Sequence, residues 1–169
     1  MRVWAAMLWV ALVLAVTPVS AESPLARMDR DLQEVDQLLA AWQLAQARSR
    51  VEALLDKHPD LPAVWWSAAW VKFHQGEHGT ARQLADRAAA ALGPALAADR
   101  RMGLIRAMDR ITKGFATRRS ADGRVVVQYA PGVDEVVVPD IEDAVRRTLE
   151  VVGKDLGHRV DHPVVVQLL

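Results

Sequence analysis

From Pro24 to about Gly114 apolar residues recur at intervals of three and four, and this spacing constrains the fold more than any other feature. It lines one face of an α-helix with side chains that must find a neighbour to bury them. The first stripe is Leu25, Met28, Leu32, Val35, Leu38, Leu39 and Trp42, and the second is Leu44, Ala47, Val51, Leu54 and Leu55. Lys57-His58-Pro59 ends the second stripe, because Pro cannot continue a helix. A third stripe runs from Pro62 through Trp65, Ala68, Ala69 and Phe73 to a break at Gln75-Gly76. The fourth holds Ala81, Leu84, Ala85, Ala88 and Leu92 and stops at Gly93-Pro94; the fifth holds Leu104, Met108, Ile111 and Phe115. Connections this short fold successive helices back as antiparallel hairpins.

Within this array, Trp65, Ala69, Gly76, Ala81 and Ala88 stand in the order large, small, turn glycine, small, small. Small residues let paired helices approach closely, and Gly76 permits a positive φ in the turn. The segment from Pro62 to Leu92 resembles a tetratricopeptide repeat on these residues. The segment before it keeps Ala47 and Pro59 but lacks the glycine turn. The resemblance implies a helical-repeat region over residues 22–116 and a surface for protein or peptide partners. Three or more repeats are usually needed for stable stacking, so this region is expected to lean on the carboxy-terminal segment.

The pattern changes after Gly114. Thr117 to Gly123 is read as a polar connection. Arg124-Val125-Val126-Val127-Gln128-Tyr129 is β-branched, short and closed by Pro131-Gly132, which marks a strand. Ile141, Ala144, Val145, Thr148, Leu149 and Val152 then recur at helical spacing, with Asp140 expected as N-cap and Gly157 as terminator. After His162-Pro163, the run Val164 to Leu169 is a second strand. Strand, helix, strand is one βαβ unit, expected to pair in parallel. The fold class is therefore mainly α: helical hairpins followed by a βαβ segment of an incomplete α/β (α+β) domain. Two strands make no stable sheet alone, so further strands are expected from a longer protein or a partner.

Few residues present themselves for chemistry. His74-Gln75-Gly76-Glu77-His78 spells H-x-x-E-H, an arrangement that grips zinc when both His share one continuous helix. Gly76 and Gly79 fall where the repeat turns, so the segment is read as a solvated turn. Trp66 and Trp70 are four apart on one helix and form the candidate partner-binding surface; the alternative for them is packing between hairpins. Arg100, Arg101, Arg106, Arg110, Lys113, Arg118 and Arg119 read as a solvated basic face. Asp155, His158, Asp161 and His162 cluster before the last strand without a regular ligand spacing. No catalytic, cofactor or metal residue is assigned.

The segments Phe115-Ala116-Thr117, Val125 to Gly132, Leu149 to Arg159 and Pro163 to Leu168 together resemble the opening of a peptidase MA-like, gluzincin-type metallopeptidase domain. In that family a strand, a long helix ending in Leu-Gly and a Pro-Val-x-Val strand precede a zinc-binding H-E-x-x-H helix. The resemblance implies that residues 117–169 are the start of such a domain, apparently truncated. It also implies that zinc belongs to a downstream segment, since H-E-x-x-H occurs nowhere among the 169 residues. Two readings remain open: the amino-terminal portion of an exported zinc-metallopeptidase-like protein, or a periplasmic interaction module without catalysis.

The amino terminus carries a different pattern. Arg2 precedes an apolar run from Val3 to Val16, then Val19-Ser20-Ala21 offers short side chains at the −3 and −1 places of a cleavage site. As a helix the run is about 21 Å long, against about 30 Å of hydrocarbon, so it reads as a secretory signal over residues 1–21 and leaves no stable membrane anchor once cleaved. The reading implies a periplasmic or secreted location, and the absence of Cys excludes disulfides and thiolate sites. With 21 basic and 21 acidic groups, no global charge attracts nucleic acid. Exported protein is expected to begin at Glu22; an intact mass that retains Met1 to Ala21 contradicts the cleavage.

Overall fold

The computed structural model describes residues 23–157, 160 and 162–169, so the signal segment lies outside the described residues. The chain is mainly helical, with a small sheet after the helices. Six helices come first: α1 (Pro24–Ala40), α2 (Leu44–Lys57), α3 (Pro62–His74), α4 (His78–Leu92), the single turn α5 (Pro94–Ala97) and α6 (Arg100–Thr112). Strands β1 (Ala116–Arg119) and β2 (Val125–Tyr129) come next, then a 3-10 turn at Val133–Val136, helix α7 (Val138–Leu156) and strand β3 (Val164–Gln167).

Local chemistry explains the helix ends. The Ser23 hydroxyl accepts the Ala26 N–H at 3.1 Å, and Pro24 needs no partner for the N–H it lacks. Asp99 caps α6 by accepting the Arg101 N–H at 2.7 Å. That bond, ahead of the Arg101 guanidinium, holds the Asp99 carboxyl below its usual range. Two sequence-based boundaries move. Trp42 is not part of α1: it comes after the helix with φ +56 and stands exposed. The fifth stripe ends at Thr112, where Lys113 turns extended and Gly114 takes φ +89, so Phe115 lies beyond the helix.

The helices form two adjoining cores. Val35 and Leu39 of α1, Val51 and Leu54 of α2, and Val64, Ala68 and Val71 of α3 make the first. Ala69 of α3, Ala81 and Ala85 of α4, and Met102 and Ile105 of α6 make the second. The α3–α4 hairpin is antiparallel, because Trp65 meets Arg87 at one end while Phe73 meets His78 at the other. Its interface is largely alanine, so the backbones approach closely and leave the rims to larger residues.

The sheet order is β1-β2-β3. β2 and β3 pair in parallel, with Gln128 opposite Gln167, as the strand–helix–strand reading expects. β1 corrects the reading of Thr117 to Gly123 as a plain connection: Ala116–Arg119 pairs antiparallel with β2. The turn between them is held by Ser120, whose hydroxyl donates to Asp122 at 2.6 Å and accepts the Val125 N–H at 2.9 Å. The Ser120 hydroxyl is also the main reason the Asp122 carboxyl lies below its usual range. Helix α7 begins two residues before Asp140, because Pro139 fits the first turn and Val138 is buried against the sheet.

Side-chain alternation assigns the two faces of the sheet. Val125, Val127 and Tyr129 pack with Val138 under α7. The opposite face carries Gln128 and Gln167 toward the α3–α4 turn, where Gly76 sits at φ +75. A Cβ placed on Gly76 would lie 3.0 Å from Val165 Cγ1. Gly76→Val is therefore expected to lose about 1–3 kcal/mol, through the left-handed backbone and the contact with the sheet together. Denaturant unfolding checks this, and an unchanged midpoint contradicts it.

Candidate functional site

Two regions hold the residues that sequence reasoning singles out. The first is the outer side of α3. Trp65 is buried there; its indole N–H donates to the Pro59 carbonyl at 2.7 Å, and the Arg87 guanidinium covers its ring at 3.7 Å. Trp66 and Trp70 are half-buried and lie against the second helical core. Arg101 of α6 reaches over both, 4.9 Å from the Trp66 ring and 5.9 Å from that of Trp70. A guanidinium over an indole face is worth about 0.5–2 kcal/mol, depending on desolvation. A peptide using these rings must therefore slide beside Arg101 or displace it.

Trp70 continues into a strip of rings. It stacks on Phe73 at 4.9 Å with the planes 5° apart, and His74 stands edge-on to it at 4.8 Å. Trp42 meets His74 edge-on at 5.8 Å. Trp42 and Arg101 are the members that sequence reasoning misses. The stripe pattern places Trp42 in a core, and the charge pattern places Arg101 on a solvated basic face. Arg101 begins α6, with α4 and α5 between it and the Trp-rich α3, so no local sequence signal marks it.

Part of the basic run is engaged. Arg106 bonds Asp86 at 2.7 Å, Arg118 bonds Glu142 at 3.1 Å, and Arg119 reaches the Gly123 carbonyl at 3.4 Å. These exposed pairs stabilise little individually. Of the cluster before the last strand, His158 and Asp161 lie outside the described residues.

The second region is the α3–α4 turn. His74 ends α3 and His78 begins α4, with the positive-φ Gly76 between them. The two imidazoles flank the Phe73 ring, at 5.7 and 5.2 Å. The expectation of a solvated turn fails for His78, which is 5% exposed. The sheet covers it: His78 Nε2 lies 2.7 Å from Gln167 Nε2, Gln167 Nε2 donates to Gln128 Oε1 at 2.6 Å, and Gln128 Nε2 donates to the Gly76 carbonyl at 3.2 Å. Lys72 and Glu77 pair beside it at 3.0 Å. Among the described residues, no three His, Asp or Glu side chains converge as metal ligands. No family model, curated protein or solved structure matches the chain.

Burial lowers the His74 imidazole below its ordinary value of 6.5. The unfolded chain then takes up this proton first as pH falls, so neutral His74 contributes fully above that value. Its contribution fades as pH drops below 6.5 toward the lower folded value. His74→Gln is expected to remove part of the stability loss between about pH 7 and about pH 5. Unfolding midpoints across that range test it; an unaltered pH dependence rejects burial of His74 as a cause.

Proposed function

We propose that this chain is the amino-terminal portion of an exported zinc-metallopeptidase-like protein. In it, tetratricopeptide-like hairpins carry and orient the opening strands of a peptidase MA-like domain. The observation that carries the reading is the parallel pairing of β2 and β3 across α7. That helix ends at Leu156-Gly157, and the second strand comes after Pro163, which is the element order the resemblance calls for. The α3–α4 turn bonds to the face of this sheet opposite α7, which suits a scaffold role for the helices.

Among the described residues, His74 and His78 do not fit a zinc site, and no chemical step is assigned to them. His74 and His78 stand on separate helices, and His78 Nε2 is engaged by Gln167. In this reading the metal belongs to a downstream H-E-x-x-H helix, and this segment supplies position.

The test is the reading frame beyond Leu169. A downstream H-E-x-x-H with a later Glu, and stoichiometric zinc in the longer protein, are expected. A stop codon directly after Leu169 overturns the reading. The second reading, a periplasmic interaction module, is favoured by the ring strip from Trp70 through His74 to the exposed Trp42, with Trp66 sharing Arg101 with Trp70. Under it, Trp66→Leu with Trp70→Leu, which keeps apolar volume against the second core, is expected to lower the affinity of a peptide partner at least about tenfold; unaltered binding rejects that surface.

A further inference from the structure

The contact between the helical turn and the sheet has a direction. The Gly76 carbonyl can only accept, so Gln128 must present its NH2 group there, at 3.2 Å. The Gln128 oxygen then faces Gln167, which must donate to it, at 2.6 Å. The same Gln167 nitrogen is 2.7 Å from His78 Nε2. An amide nitrogen offers two hydrogens and no acceptor, so His78 Nε2 must be the bare, accepting nitrogen. The single ring proton is thereby assigned to Nδ1, which is buried without a hydrogen-bond partner.

We propose that His78 is a proton-operated latch: neutral, it closes the α3–α4 turn onto β2 and β3, and a second proton releases the sheet. The second proton can only go to Nε2, where it points at the Gln167 NH2 group. Turning the Gln167 amide over relieves that clash but sets its oxygen against the Gln128 oxygen. Turning Gln128 as well sets its oxygen against the Gly76 carbonyl. Every arrangement of the two amides leaves one pair of like groups in contact. One proton is thus incompatible with the closed relay.

Among the described residues, the carboxylates near the imidazole already hold cations, and the one buried acceptor of the turn without a partner is Gln75 Oε1. From α3 come the Phe73 ring, His74 and Lys72; from the turn, Glu77; from α4, Arg82; and from α6, Asp109, whose carboxylate lies beside Gly79. Lys72 pairs with Glu77 at 3.0 Å and Arg82 with Asp109 at 2.7 Å, so both nearby carboxylates already hold a cation. At the contact the sheet presents Gln128, Val165 and Gln167, all uncharged.

The whole chain is tested by hydrogen exchange at about pH 7.5 and about pH 5, corrected for intrinsic rates. Protection of the Val164–Leu168 amides is expected to fall by about tenfold or more at the lower pH, while α3 and α4 keep theirs. His78→Gln offers an oxygen to Gln167 and does not titrate, so it should hold the strand protected at both pH values. His74→Gln should leave the switch in place. The wild-type chain gives a readout that needs no variant: imidazole nitrogen shifts should show His78 protonated on Nδ1 at neutral pH. Constant protection in the wild type, an equal loss in His78→Gln, loss of protection throughout the helices, or a proton on Nε2 at neutral pH each overturns the latch.

Discussion

Gly76 has no side chain, and the sheet occupies the space one would fill. Val165 approaches to 3.0 Å of where a Cβ would be, and Gln128 takes the carbonyl of the same residue. The position of the sheet against the helices depends on this approach. A satisfied hydrogen bond there stabilises by only about 1 kcal/mol, but a buried group left without its partner costs about 1–3 kcal/mol. The junction therefore behaves as a unit: complete, it adds moderately to stability; missing one member, it works against the docking it serves. A sheet face that would otherwise be exposed valine gains two amides whose partners lie on the helical turn and on each other.

The helical part is held by other means. Alanines at the α3–α4 contact, fully buried at Ala69, Ala81, Ala85 and Ala88, bring the backbones together and offer little apolar area each. The larger contribution comes from the two cores on either side, where Leu54, Val64, Met102 and Ile105 are buried. The indoles of Trp66 and Trp70 add to it beneath Arg101. Ion pairs Arg82–Asp109 and Arg106–Asp86 tie α4 to α6, but the second, exposed on both sides, adds orientation more than stability.

Much of this architecture is legible in the sequence, and the reasons are specific. The stripes at three and four locate α2, α3 and α4, because an amphipathic face and a Pro or Gly stop are local signals. Parallel pairing of β2 with β3 is implied by a strand–helix–strand order. β1 is hidden because Thr117-Arg118-Arg119 has no apolar alternation; an edge strand exposed along its length needs none. Asp140 looks like a cap because it precedes the helical stripe, yet Val138 buries itself on the sheet and starts the helix sooner. The role of His78, Gln128 and Gln167 is illegible: three polar residues far apart in sequence give no periodic or motif signal. Trp66 and Trp70 fall on the expected helix, but their cover, Arg101, comes from a helix that sequence alone does not bring near.

The sequence distances across the junction set an order of assembly. Gln128 and Gly76 are 52 residues apart, and Gln167 and His78 are 89 apart. Each helical hairpin closes between neighbours in sequence and loses little loop entropy, whereas the relay must wait for α7 to cross over and deliver β3. Contact order therefore favours closure of the alanine-lined hairpins before β3 reaches the turn. In reverse, the first segment to leave on opening is the one that carries Gln167, and its departure uncovers the imidazole beneath it. The contacts with the widest sequence separation are thus gathered at one end, around β3.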